Sequence, residues 1–99
     1  MFYTFRQNNS GGSFDRDADI DEVVIIEADS EDQANNKAED IGIYFYGVRS
    51  GRDCECCGDR WTPYYGGATN DPEIYGEIAQ TTSYDYKIHY KDGRIESNA

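Results

Sequence analysis

Leucine is absent from these 99 residues, and tryptophan, methionine and histidine occur once each. Without leucine, aliphatic packing falls to valine and isoleucine, whose branching at Cβ favours strands over helices. Positive charge is scarce as well: nine Lys and Arg stand against twenty Asp and Glu, a formal net charge of −11. That balance argues against a protein that grips a DNA or RNA backbone or an anionic membrane, since each needs a positive footprint. No apolar run approaches the roughly 20 residues of a membrane span, and Met1–Arg6 opens the chain without an apolar targeting region. Cysteines number only three, and an odd count in a leaderless chain reads as reduced thiols of an intracellular protein, not a disulfide framework.

What is present is aromatic. Nine tyrosines and four phenylalanines are already counted in an apolar content of only 37%, and each buries a large area, so the core is expected to rest on rings. The length predicts one domain, residues 1–99. Alternation in Phe2-Tyr-Thr-Phe-Arg6 predicts a first strand, and the unbroken run Val23-Val-Ile-Ile26 a central strand covered on both faces. Ser30 with Gln33 forms a capping-box pattern, Glu31 and Asp32 suit a helix N-terminus, and Ala34, Ala38 and Ile41 make one narrow apolar stripe before Gly42. These signals predict a helix over 31–41. Ile43–Val48 reads as a further strand, giving strand–helix–strand over Val23–Val48 whose flanking strands could run parallel through a right-handed crossover. Glu73–Ala79 reads as a short strand or helical turn. Tyr84–Tyr90 followed by Lys91-Asp-Gly93 predicts a hairpin into Arg94–Ser97. The fold class is therefore α+β, an antiparallel or mixed sheet of about four to six strands on one main helix, with a long cysteine-containing loop.

All three cysteines and the tryptophan fall within Asp53–Trp61. Cys54 and Cys57 have the spacing of a zinc knuckle, Gly58 permits the tight turn, and Cys56 offers another thiolate. One knuckle supplies at most three sulfurs, so a structural zinc needs His89 or the same turn of a second chain, a homodimer, to complete its shell. Two other readings stay open. The thiols can be small buried hydrophobes bracing a loop beside Trp61, or a nucleophile, although Asp53, Glu55 and Asp59 are expected to raise their pKa against Arg52 and Arg60.

The alternating acids Asp15, Asp17, Asp19, Asp21 and Glu22 resemble a calcium loop but fail its pattern, because Ile20 stands where glycine is needed and Ile26 where the closing glutamate belongs. Asn8, Asn9, Ser10, Gly11, Gly12 and Ser13 form a glycine-rich turn that could cradle phosphates with Arg52 and Arg60, but the turn lacks a Walker lysine. Tyrosines in this number exceed what a small core buries, so an exposed patch is expected, with Tyr64 and Tyr65 foremost.

Met1-Phe-Tyr-Thr-Phe-Arg-Gln-Asn-Asn-Ser-Gly-Gly-Ser-Phe14, Val24-Ile-Ile-Glu-Ala-Asp-Ser30 with Ala34 and Ala38, Gly42-Ile-Tyr-Phe45, and Gly51–Trp61 together resemble a family of small uncharacterised proteins of tailed bacteriophages. The resemblance covers about the first two-thirds of the chain. It implies an accessory protein made during infection and acting in the host bacterial cytoplasm. Combined with the residue reading, it leads to the expectation of a non-enzymatic protein that binds and modulates a host factor, such as a defence component. The surface expected to do so comprises Asp15, Asp17, Asp19, Asp21, Trp61, Tyr64 and Tyr65. An alternative is a binder that sequesters a small nucleotide signal, and a further one an enzyme using the thiols or a metal.

Overall fold

The computed structural model describes residues 1–8, 13–64 and 66–98. Its strands are β1 (Phe2–Arg6), β2 (Val23–Glu27), β3 (Glu73–Ile74), β4 (Glu77–Ile78), β5 (Tyr86–His89) and β6 (Ile95–Ser97), with helices α1 (Glu31–Asp40) and α2 (Gly47–Ser50) between β2 and β3. The main sheet is mixed, with strand order β1-β2-β5-β6, and β3–β4 forms a separate two-stranded sheet. β2 runs antiparallel to β1 and parallel to β5, and β5 is antiparallel to β6. The chain is α+β, as its patterning predicts.

β2 is unbroken in hydrophobicity because both its faces are covered. Val24 and Ile26 pack with Tyr3, Phe5, Ala34, Ala38, Ile43 and Trp61 on the α1 face. Val23 and Ile25 pack with Ile74, Ala79, Tyr86 and Ile88 on the other. The small residues Ala34 and Ala38 let α1 lie close to the sheet, and both are completely buried.

The caps of α1 follow the sequence pattern. Ser30 Oγ accepts from Gln33 N at 3.2 Å, while the Gln33 side chain accepts from Asp29 N at 3.0 Å, one residue before the cap. The helix ends at Asp40 with Ile41 as the cap. Gly42 then takes φ 110°, donating to Glu39 O while Ile43 N donates to Ala38 O. This is a Schellman closure, and Ile43 beside Ala38 supplies its apolar contact.

That closure explains a correction. Ile43–Val48 forms no strand: Ile43 is used in the helix cap, Tyr46 turns to φ 58°, and Gly47 opens α2. Both edges of β2 are already taken, by β1 and β5. The parallel partner of β2 is thus β5, far later in the chain. Glu73–Ala79 resolves into the β3–β4 hairpin and a 3₁₀ turn at Ala79–Thr81, and Tyr90 N pairs with Arg94 O across the expected Asp92-Gly93 turn. No helix among the described residues is long and apolar enough to cross a membrane.

Candidate functional site

Two neighbouring features hold most of the chemistry: the cysteine turn and the segment that returns from it along the free edge of β1. The turn rests on a buried carboxylate. Asp53 is only 8% exposed and accepts from Tyr44 Oη and from Arg60 N, each at 2.8 Å. Asp59 Oδ1 accepts from Val48 N at 2.9 Å. The two aspartates clamp the base of the loop to the α2 region, and Asn8 fastens its far side, donating from Nδ2 to Cys57 O and from N to Arg60 O.

Above that base, Cys57 N and Gly58 N both donate to Cys54 O, at 3.2 and 3.1 Å, and Gly58 turns the chain at φ 83°. All three thiols are exposed, which overturns the expectation of buried sulfurs bracing the loop. Trp61, 1% exposed, is the residue of this segment that enters the core. The Sγ atoms of Cys54 and Cys56 lie 2.8 Å apart and those of Cys56 and Cys57 3.7 Å apart, and all three sulfurs fall within 4.8 Å of one another. A cluster of this kind can hold a metal ion.

The acidic neighbours do not set the Cys54 pKa. A thiol hydrogen bond from Cys56, joined by the backbone N–H groups of Cys56 and Cys57 directed at its sulfur, holds Cys54 below the ordinary thiol value. Cys56, facing the sulfurs of Cys54 and Cys57, is pushed up to about 11. Because the thiolate is the nucleophile, iodoacetamide at pH 8 is expected to label Cys54 faster than Cys56, by at least about tenfold in rate, since each pKa unit changes the thiolate fraction about tenfold. Peptide mapping of a time course checks this, and equal labelling would contradict the geometry.

His89 does not join the cysteines. It is 4% exposed on β5, with Nε2 2.7 Å from Asp19 O, and no metal cluster among the described residues includes it. The reason is register: Ile26 pairs with His89 at the centre of the sheet, whereas the cysteines protrude from a loop. Trp61, expected on the binding surface, is instead 1% exposed in the core on the α1 face. A leucine-free core draws in its largest ring.

The acidic series is built inward as much as outward. Asp17 Oδ1 accepts from Asp19 N and Ile20 N. Asp21 is 3% exposed, paired with Arg16 and with Lys87 at 3.6 Å. Asp15 and Asp17 remain exposed, although Asp15 lies 3.4 Å from Arg60 Nε. The arginines expected to meet phosphate have partners within the chain: Arg52 stacks on Tyr44 at 3.8 Å, and Arg60 donates to Gln7 Oε1 and Ser13 O. Ser13 and Asn8 thus stand beside Arg60. Asn9, Ser10, Gly11, Gly12 and Tyr65 lie outside the described residues.

A feature missed by sequence reasoning is a groove of about 630 Å³ along β1, lined by Thr4, Phe5, Arg6, Thr62, Tyr64, Glu73 and Tyr75 among others. Tyr64 forms part of its wall, with its ring edge-on to Tyr3 at 5.2 Å. Tyr75 is 63% exposed and lies under the Arg6 guanidinium at 4.4 Å. Only its β3–β4 wall carried a signal, Tyr75-Gly76 between two short apolar–acidic pairs, since a dipeptide ending in glycine marks a tight hairpin.

A family model matches residues 1–98. The chain belongs to the family described as a domain of unknown function, DUF7296. The DUF7296 match takes in the groove-forming residues after Thr62 as well as the cysteine turn. No curated protein and no solved structure matches the chain.

Proposed function

We propose that this chain is a non-enzymatic accessory protein of a tailed bacteriophage that binds a host protein in the bacterial cytoplasm and inhibits or modulates it, a defence component being the foremost class of target. The observation that carries this reading is an open, tyrosine-walled groove on a chain with net charge −11. Tyrosine offers large, rigid contact area with a polar tip, which suits recognition surfaces. A strong negative field favours basic partners and speeds their encounter. A protein partner is preferred to a nucleotide because Arg52 and Arg60, the cations a phosphate would need, already have partners in the chain. Tagged protein incubated with host lysate is expected to retain one host protein in near-equal amount, released as salt rises past the screening range. Retention of nothing, or of proteins indifferent to salt, would end the proposal.

The cysteine turn fits a structural zinc. Zinc binds each sulfur at about 2.3 Å, which spaces tetrahedral sulfurs about 3.8 Å apart. The Cys56–Cys57 separation of 3.7 Å meets that spacing, and Cys54 needs to move outward from its 2.8 Å approach to Cys56. Backbone N–H groups directed at Cys54 Sγ favour its thiolate form. Exposure of the sulfurs leaves the remaining coordination position to water, a second copy or the partner. Zinc held there blocks iodoacetamide at all three thiols, and a chelator restores labelling.

A further inference from the structure

We propose that the open stretch of the β1 edge receives a short, extended, lysine- or arginine-bearing peptide, which adds to the sheet through the main chain of Thr4 and Arg6. The inference rests on the binding reading above and gives it a site and a partner chemistry.

It begins with hydrogen-bond alternation. Gln7 N donates to Glu22 O and Ala28 N to Met1 O, so with the register Phe2↔Glu27 through Arg6↔Val23 the odd-numbered residues of β1 face β2. In an antiparallel pair the intervening residues then direct N–H and C=O away from the partner strand. Phe2 uses both groups on Thr69, at 2.8 and 3.1 Å, and Asn8 N reaches Arg60 O at 2.8 Å. Between these anchors, Thr4 and Arg6 have no main-chain partner among the described residues, and both line the groove.

The gap has a simple cause. From Phe2 to Asn8 is six steps along one chain, whereas from Arg60 to Thr69 is nine along the other, so the returning segment has three residues too many to lie flat. Within that surplus, Tyr64 is turned to other partners. Tyr64 N donates to Asn35 Oδ1 at 2.9 Å, the Tyr64 ring packs against Tyr3 and Phe5, and its hydroxyl donates to Gly67 O. On the opposite wall, Thr4 Oγ1 donates to Glu73 O at 2.6 Å, holding β3 in place. Proteins usually cover or pair such an edge. Here it is walled but left open, the arrangement that strand addition exploits.

Tyr75 points the same way. It and Gly76 occupy the two-residue turn between Ile74 and Glu77 with φ 52° and 80°, a type I′ turn whose first position is best filled by asparagine. A tyrosine there costs conformational energy and leaves its ring exposed over the groove, and outliers of this kind concentrate at functional sites. The lining holds one carboxylate, Glu73, and one cation, Arg6, which already lies over the Tyr75 ring. The preference for a basic occupant therefore comes from the field of the whole chain at −11 and from the remaining ring of Tyr64. Two copies of a chain at −11 repel each other, so a basic occupant is favoured over a second copy. Closure by Arg60 and Thr69 at either end limits the occupant to a few residues.

The test uses the blocked tetrapeptide acetyl-Lys-Val-Lys-Val-amide, its Glu-for-Lys counterpart, and a backbone N-methylated form of the basic peptide that lacks the donors. The basic peptide is expected to slow hydrogen exchange at the Thr4 and Arg6 amides about tenfold at saturation, and the other two to leave them unchanged. Tyr75→Asn, which suits the turn better, is expected to raise the melting temperature while weakening peptide binding about tenfold. If the basic peptide binds without protecting these amides, or the N-methylated form binds as well, the groove assignment fails while the binding reading stands. Protection that rises with protein concentration in the absence of peptide would replace the basic occupant with a second copy. A host protein retained equally by wild type and Tyr75→Asn would also move the contact elsewhere, whereas absence of any bound protein or peptide removes both proposals.

Discussion

Gly47→Ala is expected to destabilise the protein by about 3 kcal/mol, a large share of the roughly 5–15 kcal/mol that holds a domain of this size. A Cβ at this position would lie 1.8 Å from Asp53 Oδ2, 2.5 Å from Asp53 Cγ and 2.8 Å from Tyr44 Cε2. None of these atoms can yield cheaply. Asp53 is fixed by Tyr44 Oη and Arg60 N, and Gly47 O itself accepts from Arg52 N and Asp53 N. Relieving the clash therefore means breaking buried hydrogen bonds, each costing about 1–3 kcal/mol when a partner is left unsatisfied. Urea unfolding followed by circular dichroism measures the loss. Asp53→Ala removes the obstructing atoms, so the double variant should lose clearly less than the sum of the single ones. A Gly47→Ala variant within about 0.5 kcal/mol of wild type, the range of inert surface changes, would refute this account of the loop's foundation.

The same contact shows why some of the molecule can be read from its sequence and some cannot. Local rules decide the Ser30 cap, the Ala34 and Ala38 stripe, the Gly42 stop and the Asp92-Gly93 turn, because each depends on residues a few positions apart. β2 was recognisable as a central strand since burial on both faces removes alternation. Ile43–Val48 has the composition of a strand, yet which strand flanks β2 is decided by competition among distant segments, and β5 occupies that place. The cysteine turn was legible in spacing, but its anchoring by Asp53 and Asp59 was not: two acids beside thiols look like electrostatic hindrance until Tyr44, Val48 and Arg60 are seen donating to them. The groove is illegible for a stronger reason. It arises from a mismatch in length between two segments that meet only in the folded chain, and no residue type marks such a mismatch.

Trp61→Ala is expected to cost about 3–5 kcal/mol, the range for truncating a large buried ring, whereas Trp61→Phe should cost about 1 kcal/mol. Trp61 is 1% exposed and packs among Tyr3, Phe5, Val24, Ile26 and the alanines of α1. Alanine leaves a cavity there, lined by rings and branched side chains that cannot collapse without shifting the sheet. Phenylalanine keeps most of the volume and changes one more thing. The indole Nε1 is buried without a hydrogen-bond partner among the described residues, a condition that itself costs about 1–3 kcal/mol, and phenylalanine removes that orphaned donor. The two effects oppose each other, so the conservative variant is far milder than the ring's size alone suggests. Denaturant titration of both variants by far-ultraviolet circular dichroism separates the cases, since the only tryptophan reporter is lost in each. The consequence reaches the surface: Trp61 lies between Arg60, which anchors the return segment to Asn8, and Thr62, which begins the groove wall. Trp61→Ala should therefore also speed exchange at the Asn8 amide relative to β2. Equal stability of the two variants, or an unchanged Asn8 amide beside a weakened core, would mean that Trp61 fills space without holding the groove in shape.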